Sequence, residues 1–426
     1  MTITKIMIIS IGQPSTNPRM LKEYCSLKKA GYRVKVLYAH WADWASAKDE
    51  ELLSQALDKN DFYLVAGSPN IHKWNYFFSR MFFKVAQLFT FQLHTSFFWK
   101  WSLNRPAFSL AKMAKKERAD LYIAHNLAAL PAAVEASNKW NALCGFDAED
   151  YHLGQSEKIS GRSYTIIKRM EDYYMPHCNY ITAASPLIGE TYATRFNIKD
   201  ILVVNNVFPI RHLQPKPIPY RRGDTLKLFW FSQTVGADRG LETVIAAMGK
   251  LNKIDITFTI LGYCSHSERQ RLLSLAVACN VKEVQITFKD TVRPDEIFNL
   301  AYFYHIGLAI ETNKTMNRRI VLTNKIFTYL LAGLAIIATD TPAQRNFMEN
   351  YKGVGVLYPD GDDLALALVL ESIFNDPAKL NGYRLKAWDL ARTTLNWEKE
   401  QLIFLNRITE VMYRSVGSSK ITKSTC

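Results

Sequence analysis

The sequence lacks the cysteine spacings that are typical of metal sites and of small secreted domains stabilised by disulfides. Six cysteines occur in 426 residues, and no two of them form a CxxC pair or another spacing typical of metal ligands. Scattered cysteines argue against a zinc site and against a disulfide framework, so we predict a reducing compartment. The six are Cys25, Cys144, Cys178, Cys264, Cys279 and Cys426.

Long apolar runs are also missing. The N-terminal segment MTITKIMIISIGQ has an apolar run too short for a signal-peptide core, and neither a cleavage site nor a stop-transfer segment follows it. We interpret this run as the first buried strand and expect a cytoplasmic protein.

The usual nucleotide-binding signatures are absent as well. No GxGxxG motif follows the first strand, and no GxxxxGK[ST] motif occurs anywhere. Glycine-rich loops of these two kinds cradle dinucleotides and nucleoside triphosphates. Their absence argues against an NAD-linked dehydrogenase and a P-loop NTPase.

Positive charge, by contrast, is in excess. The net charge of +14 implies affinity for something anionic, and the candidates are nucleic acid, acidic lipid headgroups and phosphorylated small molecules. Because no nucleic-acid-binding module is recognisable, we predict no nucleic-acid partner.

The length of the chain and its hydrophobic rhythm predict two domains. A chain of 426 residues exceeds the size at which a single core usually stops growing. Strand-like runs such as KIMIISI, YRVKVLYA and LKLFWFSQ alternate with helical stretches such as LKEYCSLKKAG and GLETVIAAMGKL, which indicates βαβ units. We therefore predict an α/β fold of two doubly wound, Rossmann-like domains facing a cleft.

A proline-rich stretch interrupts this rhythm and sets the predicted boundaries. The segment NNVFPIRHLQPKPIPYRRGD can continue neither a helix nor a central strand. We place the first domain at 1–208, a linker at 209–222, the second domain at 223–395, and a C-terminal helix and tail at 396–426.

Residues 73–108 form a basic, aromatic insertion in the first domain. Arg80, Lys84, Lys100 and Arg105 interrupt a segment crowded with Phe and Trp. It is too polar to span a bilayer, which needs roughly 20 apolar residues. Two interpretations stay open: a helix pair packed on the first domain, or an interfacial helix resting on an anionic membrane surface.

Candidate site residues lie at the ends of three predicted strands of the first domain. Gly12 lets a phosphate or sugar approach the backbone, or simply turns the chain from strand to helix. His125 ends the strand LYIA and can hydrogen-bond a sugar hydroxyl or a developing charge, or be structural. Asp147, close to Glu149 and Asp150, can bind acceptor hydroxyls or cap a helix.

The second domain opens with a comparable loop, QTVGADRGLE. Ser232 and Gln233 offer polar groups at the strand end, and Arg239 offers a forked, permanently charged donor. Such a loop can neutralise a diphosphate. The alternative is that Arg239 only caps the following helix or pairs with Asp238.

The segment 311–333, ETNKTMNRRIVLTNKIFTYLLAG, combines an acidic residue, a basic loop and a short apolar helix. Asn324 and Lys325 lie at the predicted helix start, where unpaired N–H groups and the helix dipole favour an anion. The segment can therefore hold a sugar diphosphate, or be an ordinary capped helix.

In this order, the motifs resemble retaining glycosyltransferases of the GT-B fold, specifically glycosyltransferase family 4 and its group 1 relatives. The resemblance implies an acceptor-binding first domain, a second domain that binds a nucleotide-activated sugar, and a C-terminal helix that crosses back to the first domain. The segments that resemble the family are SIGQPSTNPRMLKEYCSLKKAGYRVKVL, ADLYIAHNLAALPAA, NYITAASPLIGETYATRFN with NNVFP, WFSQTVGADRGLE and LTNKIFTYLLAGLAIIATDTPAQ.

Some residues match the family pattern. His125 corresponds to the histidine placed beside the transferred sugar, and Gly12 to the glycine of the first-strand loop. Arg239 stands where the family usually has a lysine that contacts the diphosphate. With Asp147 as a second catalytic candidate, these residues and Lys325 would form the working site.

The chain also departs from the pattern. Gln233 and its neighbour Thr234 occupy a position that is usually basic, which removes one charge from the phosphate site. Thr328 stands where the second glutamate of the E-x7-E motif typically holds the ribose. Glu311 is the acidic residue available for the first glutamate, and it lies farther upstream than the motif predicts.

The resemblance implies transfer of a sugar from a nucleoside diphosphate sugar to a hydroxyl acceptor, with retention and with neither a metal nor another cofactor. The resemblance and the charge together imply a glycan or lipid-linked acceptor. They also imply that the protein lies peripherally on the inner face of a bacterial membrane and acts in cell-surface polysaccharide or glycolipid synthesis. Two rivals stay open: a sugar-nucleotide epimerase of the same architecture, and a catalytically weak, membrane-associated assembly subunit.

Overall fold

A computed structural model of the chain describes residues 4–55, 57–92, 97–158 and 160–421, which divide into two compact units. Unit 1 contains the chain up to Val204 and again from Gln401 onward, and unit 2 contains Asn205 to Glu400. The corresponding boundaries predicted from the sequence are 208/209 and 395/396. Residues 93–96 of the aromatic insertion, and Cys426, lie outside the described residues.

Unit 1 is built on a seven-stranded parallel sheet in the order β3-β2-β1-β4-β5-β6-β7. Its central strands are buried along nearly their whole length, as in sheets covered by helices on both faces. The strands are β1 (Lys5–Ser10), β2 (Arg33–Ala39), β3 (Phe62–Val65), β4 (Leu121–His125), β5 (Leu143–Ala148), β6 (Tyr180–Ala183) and β7 (Leu202–Val203).

Helices connect these strands, and local signals fix where several of them begin. The side chain of Asn17 accepts a hydrogen bond from the N–H of Met20 at 2.9 Å, and Pro18 follows at the first helical position. Ser185 caps another helix in the same way, again with a proline behind it. The helices are α1 (Pro18–Lys29), α2 (Asp43–Gln55), α3 (Lys73–Gln92), α4 (Ala107–Ala114), α5 (Leu130–Trp140), α6 (Arg162–Tyr174) and α7 (Pro186–Phe196).

Unit 2 repeats the same architecture with a six-stranded parallel sheet in the order β10-β9-β8-β11-β12-β13. Trp230 and Phe258 are fully buried in its core. The strands are β8 (Leu226–Thr234), β9 (Ile256–Tyr263), β10 (Ile286–Lys289), β11 (Ile306–Ala309), β12 (Ala335–Thr339) and β13 (Gly355–Tyr358). The predicted fold class, two doubly wound Rossmann-like α/β domains, is confirmed.

The helices of unit 2 include the one that the sequence predicts after the basic loop. It ends at Gly333, whose φ of +66° forms a left-handed C-cap. The helices are α8 (Leu241–Gly249), α9 (His266–Ala278), α10 (Glu296–Ala301), α11 (Met316–Ile320), α12 (Asn324–Ala332), α13 (Pro342–Asn350), α14 (Asp363–Asn375) and α15 (Pro377–Thr393), followed by α16 (Trp397–Ile421), which begins in unit 2 and continues into unit 1 from Gln401.

The proline-rich stretch 209–222 has one short 3-10 turn, Ile210–His212, and packs on unit 2. The buried guanidinium of Arg384 donates to the carbonyl oxygens of Ile218 and Gly333 at 2.5 and 3.2 Å. Burial lowers the pKa of Arg384 to about 10. From Gln401 onward, α16 packs on unit 1, where Gln401 accepts a hydrogen bond from Ser26 at 3.0 Å.

The aromatic insertion forms α3 and a 3-10 turn at Phe97–Trp101, and it ends in the first turn of α4. One face of α3 packs inward through Ser79 and Ala86, which are buried. The opposite face leaves Trp74 86% exposed and Phe77 60% exposed. None of the helices in the described part of the chain is long and apolar enough to cross a membrane.

Candidate functional site

Several of the predicted site residues lie where the strand order reverses in each sheet. In unit 1 the reversal falls between β1 and β4, which lead to Gly12 and end at His125. In unit 2 it falls between β8, which contains Gln233, and β11, which leads to Glu311. Ligands of doubly wound sheets bind in the crevice at such reversals, beyond the carboxyl ends of the strands.

In unit 1, His125 lies in a buried network of carboxylates. Its side chain has no exposed surface. Its Nε2 lies 3.1 Å from a carboxylate oxygen of Glu23, and its Nδ1 lies 3.3 Å from Glu149 and 3.4 Å from Asp147. Both ring nitrogens therefore face acceptors, as a protonated imidazole requires.

Asp147 is occupied by an arginine of α1. The Nε and Nη2 of Arg19 donate to its two carboxylate oxygens at 2.6 and 2.7 Å, and Thr182 donates to it at 2.6 Å. All three side chains are buried. A catalytic role for Asp147 stays a prediction, and its observed partners give it a structural function.

The network shifts the pKa values of its members in opposite directions. Burial alone lowers the pKa of His125, but the facing carboxylates, above all Glu23, raise it to about 10. Burial, and then the charge of Arg19, lower the pKa of Lys22 to about 7. Burial and Asp147 raise the pKa of Glu23. His125 is thus an imidazolium at neutral pH, while Lys22 is close to its titration point.

The same side chains bear on metal binding. One ligand-type atom from each of Glu23, His125 and Asp147 lies within 4.8 Å of the others. However, Glu23 and Asp147 face different nitrogens of the ring, and Arg19 already neutralises Asp147. A bound cation would also lie among the positive charges of Arg19 and Lys22. The geometry therefore fits a buried ion network better than a metal centre.

The loop after β1 is held from α2. The carboxylate of Asp49 accepts from the Gln13 amide at 2.7 Å and from the Ser15 N–H at 2.8 Å. A Cβ on Gly12 would lie 3.1 Å from the Thr16 hydroxyl, so this turn has little room for a side chain. Gly12 is placed at the strand end as predicted, and its contact with a ligand stays a prediction.

In unit 2, the structure joins Glu311 to the start of α12. The Nζ of Lys325 lies 2.9 Å from a carboxylate oxygen of Glu311, and both side chains are largely buried. Thr339 fixes the backbone of Glu311 by accepting from its N–H at 2.9 Å and donating to its carbonyl at 2.6 Å. Glu311 is therefore beside Lys325, although the E-x7-E spacing does not predict it there.

The start of α12 is open to an acceptor. Thr323 is its N-cap, but its side chain makes no cap hydrogen bond, and its hydroxyl has no partner among the described residues. Asn324 and Lys325 form the first turn. Thr328, one turn later, is 2% exposed and donates back to the Asn324 carbonyl at 3.1 Å. The first N–H groups of this nine-residue helix are the donors that an anion would meet.

The Arg239 loop lies against the same segment. Gly240 has a φ of +73°, and a Cβ there would lie 2.2 Å from Cγ2 of Ile310, which precedes Glu311. Asp238 forms an ion pair with Lys314. Within the described chain, the guanidinium of Arg239 has no hydrogen-bond or ion-pair partner. The loops that follow β8 and β11 are thus contiguous, and each carries one acidic and one basic residue, Asp238 with Arg239 and Glu311 with Lys314.

Ser232 and Gln233 lie at the exit of β8. Gln233 is exposed and Ser232 half-buried. The strand is irregular here, with a register shift against β9 between Phe231 and Thr234. A ligand role for either residue stays a prediction.

Sequence reasoning missed several charged residues that the fold brings to these sites. In unit 1, Arg19, Lys22 and Glu23 are buried. The signal for them was the i, i+4 spacing of Arg19 and Glu23 on a helix that follows the first strand. In unit 2, the guanidinium of Arg318 donates to the carbonyl of Asp238 at 3.3 Å, so α11 adds a charge beside the Arg239 loop.

No family model and no curated protein sequence matches the chain. Solved structures do. Anabaena HepE in complex with UDP has a TM-score of 0.68 and 13% identity, covering 96% of this chain and 100% of HepE. Sucrose-phosphate synthase from Thermosynechococcus elongatus has a TM-score of 0.67 and 15% identity, covering 98% and 100%.

A glycosyltransferase from Rickettsia africae ESF-5 has a TM-score of 0.66 and 12% identity, covering 97% of this chain and 99% of that one. At these identities the likeness shows the fold. The chain therefore has the GT-B fold of these glycosyltransferases, as the sequence resemblance implies.

Proposed function

We propose that the protein is a retaining glycosyltransferase that moves a sugar from a nucleoside diphosphate sugar to a hydroxyl acceptor. The observation that supports this most is the meeting of the Arg239 loop, Lys325 and the open start of α12 at the strand-order reversal of unit 2. Similar structures of Anabaena HepE hold UDP with glucose, and UDP-glucose, which supports a nucleotide sugar as the donor.

In this proposal the diphosphate binds between the Arg239 guanidinium and the first N–H groups of α12. Lys325 turns from Glu311 towards the phosphate, and Glu311 is then free to accept hydrogen bonds from sugar hydroxyls. As the bond from sugar to phosphate breaks, charge grows on the diphosphate, and preorganised donors stabilise it. Because side chains and a helix terminus supply this positive charge, we infer that the transfer needs neither a metal nor another cofactor.

Thr328 would hold the ribose more weakly than a carboxylate does. A neutral hydrogen bond contributes about 0.5–1.5 kcal/mol, whereas one to a charged group contributes about 1.5–3 kcal/mol. We expect a donor affinity that depends mainly on the phosphate contacts.

We further propose that the acceptor is a lipid-linked or cell-surface glycan, reached at the inner face of a bacterial membrane. On unit 1, Trp74, Phe77, Phe78 and Met81 are half or more exposed along one stripe of α3, with Arg80 and Lys84 beside them. Amphipathic helices that combine aromatic and basic side chains bind anionic membrane interfaces. A peripheral cytoplasmic enzyme of polysaccharide or glycolipid synthesis fits this surface.

Donor binding tests the core of the proposal. Isothermal titration calorimetry with UDP, GDP and ADP should show binding of at least one nucleotide. Lys325→Met should weaken that binding by about 10- to 100-fold, because a charged hydrogen bond is lost. Lys253→Met is the matched control, since Lys253 is exposed on the approach to β9, at the opposite edge of the sheet. No binding of any nucleotide would favour the assembly-subunit rival.

Product analysis tests the reaction. Incubating the enzyme with the bound nucleotide's sugar donors, with and without acceptor extracts, separates transfer from epimerisation, because an epimerase converts the donor alone. The anomeric configuration of the product, determined by NMR, reports retention or inversion. Conversion of the donor without any acceptor would replace the transferase proposal by the epimerase.

His125 needs a separate test, because it is buried among carboxylates. His125→Gln is expected to reduce transfer by orders of magnitude while nucleotide binding in unit 2 is nearly unchanged. If the variant's loss of activity equals its loss of folded protein, His125 is structural and not catalytic.

Vesicle sedimentation tests the membrane contact. Trp74→Ser/Phe77→Ser should reduce binding to vesicles that contain phosphatidylglycerol. Tyr413→Ser is a control that removes an aromatic side chain 75% exposed on α16. Equal binding by the parent and by Trp74→Ser/Phe77→Ser would exclude this face of α3 as the membrane contact.

A further inference from the structure

A pocket of about 370 Å³ opens on unit 1, apart from the buried network around His125 in the same unit. Small-molecule sites typically measure about 300–1,000 Å³, so a modest ligand fits it. Its lining combines two aromatic rings with four lysines. The lining residues are Trp101, Phe108, Ala111, Lys112, Lys115, Lys116 and Lys139.

The pocket lies near the opposite edge of the sheet from His125. Lys112 is in the last turn of α4, which leads into the start of β4, and Lys139 is in the last turn of α5, which leads into the start of β5. His125 is the last residue of β4. A five-residue strand is roughly 16 Å long, so the two places are separate.

The positive charge of this pocket is only partly neutralised. Lys115 pairs with Glu135 at 2.8 Å, and Glu135 is shared with Lys100. Lys139 donates to the carbonyl of Lys115 at 2.8 Å, which leaves its charge in place. For Lys112 and Lys116, the described chain offers no acidic partner. An anionic group would therefore gain charge-assisted contacts here.

The aromatic wall contains a second, independent feature. Trp101 is 2% exposed, yet its indole N–H has no acceptor among the described residues. Buried donors are nearly always paired, and an unpaired one is unfavourable. This N–H is closed off in the structure, and a ligand oxygen satisfies it once the indole ring turns towards the pocket that Trp101 lines. The rings of Trp101 and Phe108 meet edge to face at 5.7 Å, which gives the pocket an apolar wall.

We propose that this pocket binds a phosphate ester with an apolar organic part. The phosphate accepts from Lys112, Lys116 and the Trp101 indole, while the organic part packs on Phe108 and Ala111. The same chemistry occurs in a phospholipid headgroup with its glycerol backbone and in a soluble phosphate monoester. The pocket is separate from the buried network around His125, since the two lie at opposite ends of β4 in unit 1.

Calorimetry on the full chain tests this with three probes: dihexanoyl phosphatidic acid, its phosphate-free counterpart dihexanoylglycerol, and glycerol 3-phosphate. Lys112→Glu/Lys116→Glu should weaken binding of the phosphate-bearing probes about tenfold or more, because the two side chains then repel the phosphate and no longer attract it. Lys29→Glu/Lys199→Glu changes the net charge equally at exposed positions of the same unit and should leave the affinity unchanged. Trp101→Phe keeps a ring but loses the donor, and should weaken binding several-fold.

The outcomes separate the two sources. Tight binding of phosphatidic acid with weak binding of glycerol 3-phosphate identifies a lipid headgroup. Equal binding of both identifies a soluble phosphate ester held by its phosphate, and would overturn the proposed apolar contacts with Phe108 and Ala111. Equal affinity in the parent and in Lys112→Glu/Lys116→Glu would overturn the proposal, as would equal affinity for dihexanoylglycerol. Circular dichroism spectra and nucleotide binding, both expected to be unchanged, show that the variants are folded and that unit 2 is intact.

Discussion

Lys22→Met should make the stability of unit 1 strongly dependent on pH between 7 and 10.5. In the buried network, His125 and Lys22 titrate over the same range with opposite consequences. The pKa of His125 rises on folding from 6.5 to about 10, so the stability it contributes is complete below pH 6.5 and is lost as the pH rises through 10. The pKa of Lys22 falls on folding from 10.5 to about 7. The buried charge of Lys22 therefore destabilises the folded chain by its full amount below pH 7, and this destabilisation disappears as the pH approaches 10.5.

The two contributions are of similar size. Each pKa differs by 3.5 between the folded and unfolded chains, as 10 − 6.5 and 10.5 − 7 show. At about 1.36 kcal/mol per pKa unit, each corresponds to on the order of 5 kcal/mol as an upper bound. In the parent protein they largely cancel. In Lys22→Met the free energy of unfolding falls as the pH rises, because the His125 contribution is lost and nothing offsets that loss. In His125→Gln it rises with pH, because Lys22 loses its buried charge and nothing offsets that gain.

Urea titrations at pH 6.5 to 10, followed by tryptophan fluorescence, measure this effect. Relative to the parent, Lys22→Met should be more stable at pH 6.5, by up to several kcal/mol, and should lose that advantage by pH 10. The unit 1 transition is identified as the one that His125→Gln shifts. A difference between Lys22→Met and the parent that stays constant from pH 6.5 to 10 would refute the reasoning, because Lys22 would then carry the same charge in the folded and unfolded chains.

The donor loop yields three further predictions. Gly240→Ala should lower the unfolding midpoint in scanning fluorimetry, by the equivalent of about 1–3 kcal/mol, because its φ is +73° and the new Cβ meets Ile310. Gly236→Ala, with open space around it, should be neutral. Arg239→Gln should weaken nucleotide binding and flatten its dependence on salt, which calorimetry at 50 and 300 mM NaCl would show. Thr328→Val should leave the free energy of unfolding within about 1 kcal/mol of the parent, while nucleotide affinity falls only a few-fold. A larger loss of affinity would mean that its hydroxyl contributes more to ribose binding than one neutral hydrogen bond does.

Much of the fold could be predicted from the sequence, because it depends on local periodicity. The first buried strand and the short apolar helix after the basic loop were predicted from their apolar patterns, and the structure has them as β1 and α12. The positions of the site residues at strand ends followed from the same rhythm, since parallel strands present their carboxyl ends at one edge.

The contacts within the site could not be predicted from the sequence, because they join residues far apart in the chain. Glu23 and His125 are 102 positions apart, and Arg19 and Asp147 are 128 apart. No local pattern says that a helix side chain will face a particular strand end. For the same reason His125 was placed correctly at its strand, while its enclosure by three carboxylates was not anticipated.

The departure at Thr328 gains a physical meaning from the pair of Glu311 and Lys325. In the structure, Glu311 already neutralises the one lysine of the first turn of α12. A second carboxylate at position 328, one turn further along, would add negative charge beside the place proposed for the diphosphate. Thr328 avoids this repulsion, and its hydroxyl bonds back to the helix at Asn324. Under the proposed function, a weaker ribose contact is therefore offset by a more positive phosphate site, so the chain can lose the glutamate without losing the donor.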